Sequence, residues 1–462
     1  MRRSRNFILI NGAWATKMKR IRSAIFLLVF ASPGILANPY METLPNGLKV
    51  IVKEDNRAPV VVSQIWYKAG SLDEYNGTTG VAHALEHMMF KGTKKVPAGQ
   101  FSKLIAAAGG QENAFTTQDY TAFFQELYKS RLPLAMRLES DRMSNLALSD
   151  KEFSKEIRVV MEERRMRTDD QPHALVYEKM MSVAFQNNPY RRPVIGWMGD
   201  LQNMKADDAR AWYHRWYAPN NATLVVVGDV SHRDVFDLAR KYYGRIKPVP
   251  LPPRKPQIEP EQVGIKRINI KAPANLPYIL MGYHVPVLRD ANHDREPYAL
   301  DVLAGVLDGY DSARLEKALT RDDPVAVSVG ASYDDTGRGP GIFEIDATPS
   351  QGKTAADVEA AIRDQIGKVV KEGVTDEELR RVKAQVTASH VFHRDSMFYQ
   401  AMQIGQLESV GLSYKDVDVM LKKIGEVTAE EVREVAKKYL KDDGLTVAVL
   451  DPQPTKGESH AK

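Results

Sequence analysis

Segment 79–92 contains two histidines and a glutamate at a spacing that suits metal-assisted hydrolysis. Its composition favours a helix, on which His83, Glu86 and His87 occupy positions i, i+3 and i+4 and project from one face. Two imidazoles one turn apart can share a zinc ion, and the carboxylate between them can reach a water molecule on that ion. This H-x-x-E-H order is the inverted zincin motif. The motif alone does not exclude the alternative, which is a helix with two surface histidines and an ordinary glutamate that bind no metal.

A zinc site of this kind needs a third protein ligand, and an acidic helix predicted to follow Ser149 offers one. Ser149 and Glu152 form a capping-box pattern, and Glu156 and Glu163 lie two turns apart on one face. Glu163 could therefore bind the metal, while Glu156 could orient a ligand histidine. The alternative is that both are solvated charges beside neighbouring arginines, as in most charged runs.

These motifs together, with the distal glutamate, resemble the zinc site of the pitrilysin/insulinase family of metallopeptidases. Here Glu163 lies 76 positions after His87. Four further segments resemble family signatures: 46–52, 69–74, 90–93 and 109–116. The chain is most similar to the two-domain, processing-peptidase-type bacterial members, and the resemblance covers essentially all of it after the first 37 residues.

The resemblance implies specific roles for the residues of both motifs. His83, His87 and Glu163 would bind one Zn²⁺ per chain, Glu86 would be the general base, and Glu156 would support the site. The implied fold is α+β, with two homologous domains, each a mostly antiparallel sheet covered by helices, that form half of a clamshell chamber. The sequence patterns themselves predict a mixture of strands and helices in each half, as in a sheet covered on one face, and do not give the strand order.

In family members, the segment that corresponds to 109–116 is a sheet edge on which the peptide substrate lies as an extra strand. Main-chain hydrogen bonds give such a peptidase affinity without demanding a particular sequence. The resemblance therefore implies that Asn113, Ala114 and Phe115 bind substrate. The alternative is a turn followed by an ordinary strand.

One part of the family pattern is missing from this chain. Active members usually supply an Arg and, seven positions later, a Tyr that hold the substrate carbonyl, and here Thr320 and Val327 occupy those positions. Arg321 and Tyr333 lie nearby at the wrong offsets. A homologous partner chain could supply both donors, Arg321 could substitute in a homodimer, or the alignment could be displaced. We favour a heterodimer, because the family chamber needs four such domains and this chain has two.

The elements around these motifs indicate an internal duplication. Segments 201–229 and 424–451 each contain a capped amphipathic helix followed by an apolar strand at nearly the same spacing. Other strands are predicted at 48–53, 60–66, 122–127 and 278–283. Between the two copies lies a proline-rich stretch that reads as a linker. The predicted divisions are a zinc-binding domain at 38–245, the linker at 246–261, a homologous domain at 262–452 and a polar tail at 453–462.

Composition limits the function classes. The 462 residues contain no cysteine, so disulfides, thiolate nucleophiles and thiolate metal ligands are excluded, and any metal must sit on His and carboxylates. Seven of the 64 Lys and Arg residues lie within the first 37 positions, where there is no Asp or Glu, so the rest holds 57 basic against 59 acidic residues. This near-neutral body does not indicate a nucleic-acid partner.

Residues 1–37 have the basic and apolar regions of a secretory signal, with cleavage predicted after Ala37 and a possible upstream extension at 1–17, which leaves Met1 and Met18 as alternative starts. The apolar run is too short to span a bilayer, so no stable membrane anchor is expected, although an uncleaved anchor is the alternative. The prediction is a periplasmic zinc endopeptidase that acts on peptides or unfolded segments as the zinc-bearing subunit of a dimer. The alternative is a peptide-binding or assembly subunit with little or no catalysis.

Overall fold

A computed structural model describes residues 39–321 and 324–454 of the chain, and it contains two β-sheets covered by helices. Each sheet is antiparallel except for one parallel pair of strands. The predicted α+β fold with two sheet-and-helix domains is thereby confirmed. The predicted signal segment 1–37 lies outside the described residues, as does the predicted polar tail from residue 455 onward.

The first sheet has six strands in the order β1-β2-β6-β3-β5-β4. They are β1 (Tyr40–Thr43), β2 (Lys49–Glu54), β3 (Val60–Tyr67), β4 (Gln111–Thr116), β5 (Thr121–Tyr128) and β6 (Ala222–Gly228). Every residue of β6 is buried, as expected of an apolar strand between two neighbours. Strand β4 pairs with β5 along one side and forms an edge of this sheet.

The second sheet repeats this order without a counterpart of β1. Its strands are β7 (Lys266–Pro273), β8 (Tyr278–Val285), β9 (Ala326–Tyr333), β10 (Gly341–Pro349) and β11 (Leu445–Gln453). They run β7-β11-β8-β10-β9, so β11 takes the place that β6 has in the first sheet. Strands β6 and β11 each follow the amphipathic helix of a duplicated segment. Each also has one parallel neighbour, which is β2 for β6 and β7 for β11. The shared order is the structural counterpart of the internal duplication.

Most helices of each half cover one face of that half's own sheet and connect its strands. Those of the first half are α1 (Val81–Met88), α2 (Gln100–Ala107), α3 (Leu132–Asn145), α4 (Asp150–Arg164), α5 (Pro172–Ala184), α6 (Met198–Asn203), α7 (Ala206–Trp216) and α8 (His232–Tyr243). Those of the second half are α9 (Glu296–Asp308), α10 (Arg314–Leu319), α11 (Ala355–Glu372), α12 (Asp376–His393), α13 (Met397–Val410), α14 (Val417–Glu426) and α15 (Ala429–Tyr439). None of the helices in the described residues is both long and apolar enough to cross a membrane.

The two halves exchange a helix. Helix α5 of the first half packs its buried Val176 and Met180 on the second sheet, against β7, β8 and β11. Helix α13 of the second half packs Ala401 and Ile404 on the first sheet, against β3 and β6. Each sheet therefore has one face covered by helices of its own half and the other covered by a helix of the other half.

The proline-rich segment forms neither helix nor strand from residue 247 to residue 263, as its composition predicts. It is nevertheless fixed to the surface of the first half. The Glu259 carboxylate accepts hydrogen bonds from the backbone N–H groups of Gln186, Asn187 and Asn188. The exact limits of the predicted domains stay a prediction, because the exchanged helices make each half depend on the other.

Candidate metal centre

Helix α1 carries the H-x-x-E-H residues on one side and core residues on the other. Val81, Leu85 and Met88 are at most 2% exposed and belong to the core beneath the first sheet. The side chains of His83 and His87 keep 12% and 19% exposure on the opposite side. The packing of the apolar side therefore fixes which way the histidines point.

The start of α1 has no side-chain cap of its own, because the N-cap residue is Gly80. Glu74 replaces the cap: its carboxylate, 1% exposed, accepts from the N–H groups of Gly80 at 2.8 Å and Ala82 at 2.9 Å. Gly80 has φ of 87°, and a Cβ there would lie 2.5 Å from the Ile195 carbonyl oxygen. Only glycine fits this position, so the chain enters the helix along a fixed path.

Helix α4 brings the two glutamates predicted from the acidic segment to the histidines of α1. It begins at Ser149, whose hydroxyl accepts from the Glu152 N–H; the structure shows this single bond and no return bond from the Glu152 carboxylate, which pairs with Lys155. Glu156 Oε1 lies 3.0 Å from His87 Nδ1. Two helical turns further along α4, the Glu163 carboxylate lies beside the other ring nitrogen of His87, Nε2.

Three side chains converge on one point. Glu163 Oε2 lies 3.2 Å from His87 Nε2 and 4.0 Å from His83 Nε2. One donor atom from each of the three residues lies within 4.8 Å of the others. Among the residues that the structure describes, this is the one group of three or more His, Asp or Glu side chains close enough to hold a metal ion. The sequence motif and the distal glutamate thus meet in space.

A π-helical turn, Arg165–Asp169, directly follows α4 and begins two residues after Glu163. It places Arg167 Nη1 2.6 Å from Glu163 Oε1, the oxygen that faces away from the histidines. The guanidinium therefore holds one carboxylate oxygen and leaves Oε2 turned toward the imidazoles. Turns of this kind are frequent at functional sites, but the sequence contains no local signal that would have identified this one.

The Glu86 carboxylate has a hydrogen-bond partner, because the Thr116 hydroxyl donates to its Oε2 at 2.5 Å. Thr116 ends strand β4, and its hydroxyl lies 3.4 Å from that of Thr121, which in turn donates to the Ala69 carbonyl. This contact fixes one oxygen of the carboxylate and leaves Oε1 for other partners. The sequence pattern does not indicate this role for Thr116, although the residue lies in segment 109–116, which resembles a family signature.

Burial and neighbouring charges shift the pKa values at this site in different directions. Burial lowers the pKa of His83 to about 4 and raises that of Glu86 to about 7. Burial opposes the other two shifts, but hydrogen bonds to Glu156 and Glu163 raise the pKa of His87 to about 9, and the bond to His87 lowers that of Glu163 to about 2. At neutral pH this favours a neutral His83 and an ionised Glu163.

The donor set fits Zn²⁺. Two imidazole nitrogens and one carboxylate oxygen are the ligands of His₂Glu hydrolytic zinc sites, which keep a fourth position open. His87 has the carboxylate partner behind its ring that zinc-ligating histidines normally have, in Glu156, and Lys91 Nζ lies 2.5 Å from the same carboxylate. In the part of the chain that the structure describes, His83 Nδ1 is buried without a hydrogen-bond partner, and the other ring nitrogen, Nε2, lies 4.0 Å from Glu163 Oε2.

The predicted substrate-binding residues lie on edge strand β4. Ala114 is buried toward the core of the first half, whereas Asn113 is exposed and Phe115 packs edge-on against Trp66 at 5.5 Å. The Ala114 N–H donates to Asn113 Oδ1. Since β4 ends at Thr116, the edge leads directly to Glu86.

In the structure, the hydrogen-bonding groups of Arg321 and Tyr333 are bound to backbone carbonyls of the second half and do not point to a substrate-binding role. The Tyr333 hydroxyl donates to the Pro286 carbonyl at 2.6 Å, and the Arg321 guanidinium donates to the Asp311 carbonyl. Thr320 donates to the Glu316 carbonyl, and Val327 is 62% exposed on edge strand β9. Arg321 and Tyr333 are therefore both engaged within the second half.

Two family descriptions match the sequence: insulinase (peptidase family M16) over residues 49–197, and the peptidase M16 inactive domain over residues 203–386. The zinc protease PqqE of Helicobacter pylori is 30% identical over 441 residues, which cover 92% of this chain and 97% of that protein. The chain belongs to peptidase family M16. The resemblance to the pitrilysin/insulinase family is confirmed, and most of the second half falls under the description of the family's inactive domain.

A further relative and two solved structures are also similar to this chain. An uncharacterized zinc protease of Streptomyces coelicolor is 30% identical over 407 residues, 86% of each chain. The crystal structure of a protease from Helicobacter pylori superimposes with a TM-score of 0.85 at 28% identity and covers 90% of this chain and all of that one. The periplasmic protease PqqL of Escherichia coli shares the fold, with a TM-score of 0.76 at 18% identity over 90% of this chain and 48% of its own.

Proposed function

We propose that this chain is a zinc-dependent endopeptidase that cleaves peptides or unfolded polypeptide segments. The observation that carries the proposal is the convergence of His83, His87 and Glu163, with Glu86 on the same helix as the two histidines and bonded by Thr116. The names of the M16 relatives as zinc proteases support the metal and the reaction class. One zinc ion per chain would be held by these three ligands.

Zinc, when bound, supplies a Lewis acid that lowers the pKa of a water molecule to about 7 and polarises the scissile carbonyl. The protein contributes the proton transfer. Thr116 occupies Oε2 of Glu86, so Oε1 is the atom that accepts the proton from the attacking water and passes it to the leaving amine. Glu156 orients the ring of His87 and Arg167 orients Glu163, so both act through ligands.

We propose that the substrate lies along β4 as an additional strand. In the described residues no strand pairs with the outer side of β4, and its last residue contacts Glu86. Asn113, Ala114 and Phe115 would then make main-chain contacts with the peptide. A copy of a cleaved peptide with N-methylated backbone amides at these contacts should bind at least about tenfold more weakly than its parent, and equal binding would contradict this placement.

The catalytic test is the substitution E86Q. The variant should bind zinc as the wild type does, because Glu86 is not a ligand in this proposal, and it should lose turnover of a quenched, unstructured peptide by at least about 10². The matched control is E162Q, which removes an exposed carboxylate on α4 that pairs with Arg165 and leaves the ligands untouched. If E86Q turned over at the wild-type rate, the assignment of the general base would be wrong.

The missing Arg and Tyr favour a second proposal about assembly. Arg321 and Tyr333 are bound to carbonyl groups of their own half, so a homologous partner chain is the better source of oxyanion donors. Losing such a donor costs about 10² to 10³ in rate, so the chain alone should cleave slowly and a heterodimer quickly. If a homodimer of this chain cleaved as fast as the chain mixed with a homologous partner, the heterodimer proposal would be wrong. Peptide binding without cleavage after every homologous partner is added would favour the non-catalytic alternative.

We also propose that the protein is exported to the periplasm and cleaved near Ala37. The support is the basic and apolar pattern of residues 1–37, together with the similar fold of PqqL, a periplasmic protease of Escherichia coli. Cell fractionation checks the compartment, and N-terminal sequencing of the purified protein checks the cleavage site. A cytoplasmic product that retains residues 1–37 would contradict the proposal.

A further inference from the structure

The loop between β9 and β10 leaves the second sheet and reaches the first half. Its residue Arg338 donates from Nη1 to Asp73 Oδ2 at 2.8 Å and from Nη2 to Asp73 Oδ1 at 2.9 Å. Nη1 also donates to the Asp119 carbonyl at 3.0 Å. The Arg338 side chain is 14% exposed and that of Asp73 only 4%. This is a buried, two-pronged ion pair between residues 265 positions apart in sequence.

The tip of the loop is seated on Tyr190 of the first half. The Tyr190 hydroxyl donates to the Asp119 carboxylate and accepts from the N–H groups of Arg338 at 3.0 Å and Gly339 at 2.8 Å. A Cβ on Gly339 would lie 2.6 Å from the Tyr190 ring, so a side chain there would displace the loop. The backbone and the guanidinium of this loop are therefore both held in one position.

The two first-half segments that this loop contacts are the ones that position the catalytic helix. Asp73 directly precedes Glu74, whose carboxylate holds the start of α1. Asp119 lies in the turn after Thr116, whose hydroxyl holds Glu86. The segments are also joined to each other, since the N–H groups of Ser71 and Leu72 donate to the carbonyls of Thr117 and Gln118.

We propose that Arg338 is a positioning residue for the metal centre, and that through it the second half sets the geometry of α1 and Glu86. Arg338 touches neither the candidate ligands nor Glu86, so it acts through the segments that contain Asp73 and Asp119. Arg254 of the proline-rich segment also binds Asp73, with 2.7 Å between Nε and Oδ1, so Asp73 keeps one cation when Arg338 is removed. Loss of Arg338 should therefore loosen the two segments without leaving Asp73 buried and unpaired.

The experiment compares R338A with R57A in the full chain. Arg57 also joins the halves, through the Asp395 carboxylate and the carbonyls of Arg394 and Asp395, but it contacts neither of the two segments. The first readout is hydrogen exchange at the amides of 75–89, where protection depends on the start of α1. R338A should lose protection there by about tenfold or more, and R57A should not.

The second readout is chemical and rests on the proposed function. R338A should lower kcat by about tenfold or more with KM changed less than about threefold, because small displacements of catalytic groups lower the rate strongly. R338K should recover only part of the loss, since an ammonium cannot reproduce the two-pronged contact. Apparent zinc affinity, measured by chelator competition, should weaken in R338A and not in R57A.

The outcomes separate the two proposals. If the wild type cleaves no peptide with any partner, the proposed function fails, and hydrogen exchange and zinc affinity still decide the role of Arg338. If R338A and R57A change exchange at 75–89, zinc affinity and kcat equally, Arg338 is only a contact that holds the halves together, and the inference is overturned.

Discussion

The contact between Glu74 and α1 predicts a defect in both stability and zinc binding when it is removed. In E74A, two N–H groups at the start of the helix, those of Gly80 and Ala82, lose their acceptor in a place where Glu74 itself is 1% exposed. Each buried donor left without a partner costs about 1–3 kcal/mol, so the free energy of unfolding should fall by about 2–6 kcal/mol. Zinc affinity should fall by about tenfold or more, because α1 carries two of the three candidate ligands.

The variant E74Q keeps one carbonyl oxygen as an acceptor and should lose about half as much stability. The difference in stability between the wild type and E74Q should depend on pH, because burial raises the pKa of Glu74 to about 8, against 4.5 for an ordinary glutamate. The folded state therefore holds the proton more tightly than the unfolded state. The resulting stabilisation is complete below the unfolded pKa and is lost as pH rises through about 8. Gln does not titrate, so the advantage of the wild type over E74Q should shrink between pH 5 and pH 8.5.

The assay is urea unfolding of the zinc-free protein from pH 5 to pH 8.5, followed by chelator competition for zinc. The control is E259A, which removes another carboxylate that accepts from backbone N–H groups, at an exposed site next to α5. It should lower stability by less and leave zinc affinity unchanged. A loss below about 1 kcal/mol in E74A, with unchanged zinc affinity, would refute the view that Glu74 holds the helix.

Two further predictions concern the scaffold, and both are measured by urea or thermal unfolding. Arg142 is buried, bonds Glu139 through two nitrogens and lies 4.4–5.3 Å from three phenylalanine rings, so R142M should cost about 3–5 kcal/mol. Adding E139Q should recover part of that loss, because no charge is then left buried, and no recovery would contradict this explanation. G405A in α13 should be destabilising although alanine favours helices by about 1 kcal/mol, since the new Cβ would lie 2.0 Å from the Trp66 ring. G367A, in the exposed interior of α11 with nothing within 4 Å, should be neutral or stabilising, and equal effects of the two substitutions would contradict the packing argument.

The sequence alone predicts the parts of the site that depend on local spacing. His83, Glu86 and His87 share a helical face, and the predicted strands at 48–53, 60–66, 122–127 and 278–283 match β2, β3, β5 and β8 to within two residues at each end. Helical and strand periods are properties of adjacent residues, so one sequence is sufficient to detect them.

The contacts that hold the site could not be predicted in the same way. Thr116 and Glu86 are 30 positions apart, and Arg338 and Asp73 are 265 apart, so each pair meets only because the sheets and loops place them together. Threonine and arginine in these segments are also compatible with ordinary solvated positions. The resemblance to a family identified the candidate ligands and Glu156 as their support, but it carried no information on Thr116, Glu74 or Arg338.

The exchange of α5 and α13 has a consequence for how this chain can be divided. A polypeptide that ended in the proline-rich segment would keep α5 with no sheet to receive it, and its own sheet would expose Trp66, Val225 and Val227 where α13 normally lies. Apolar surfaces of this kind drive aggregation. Two fragments produced together would instead present complementary surfaces and should reassemble into the native arrangement. The duplicated halves are thus interlocked, and a single half on its own is not expected to be a soluble, functional unit.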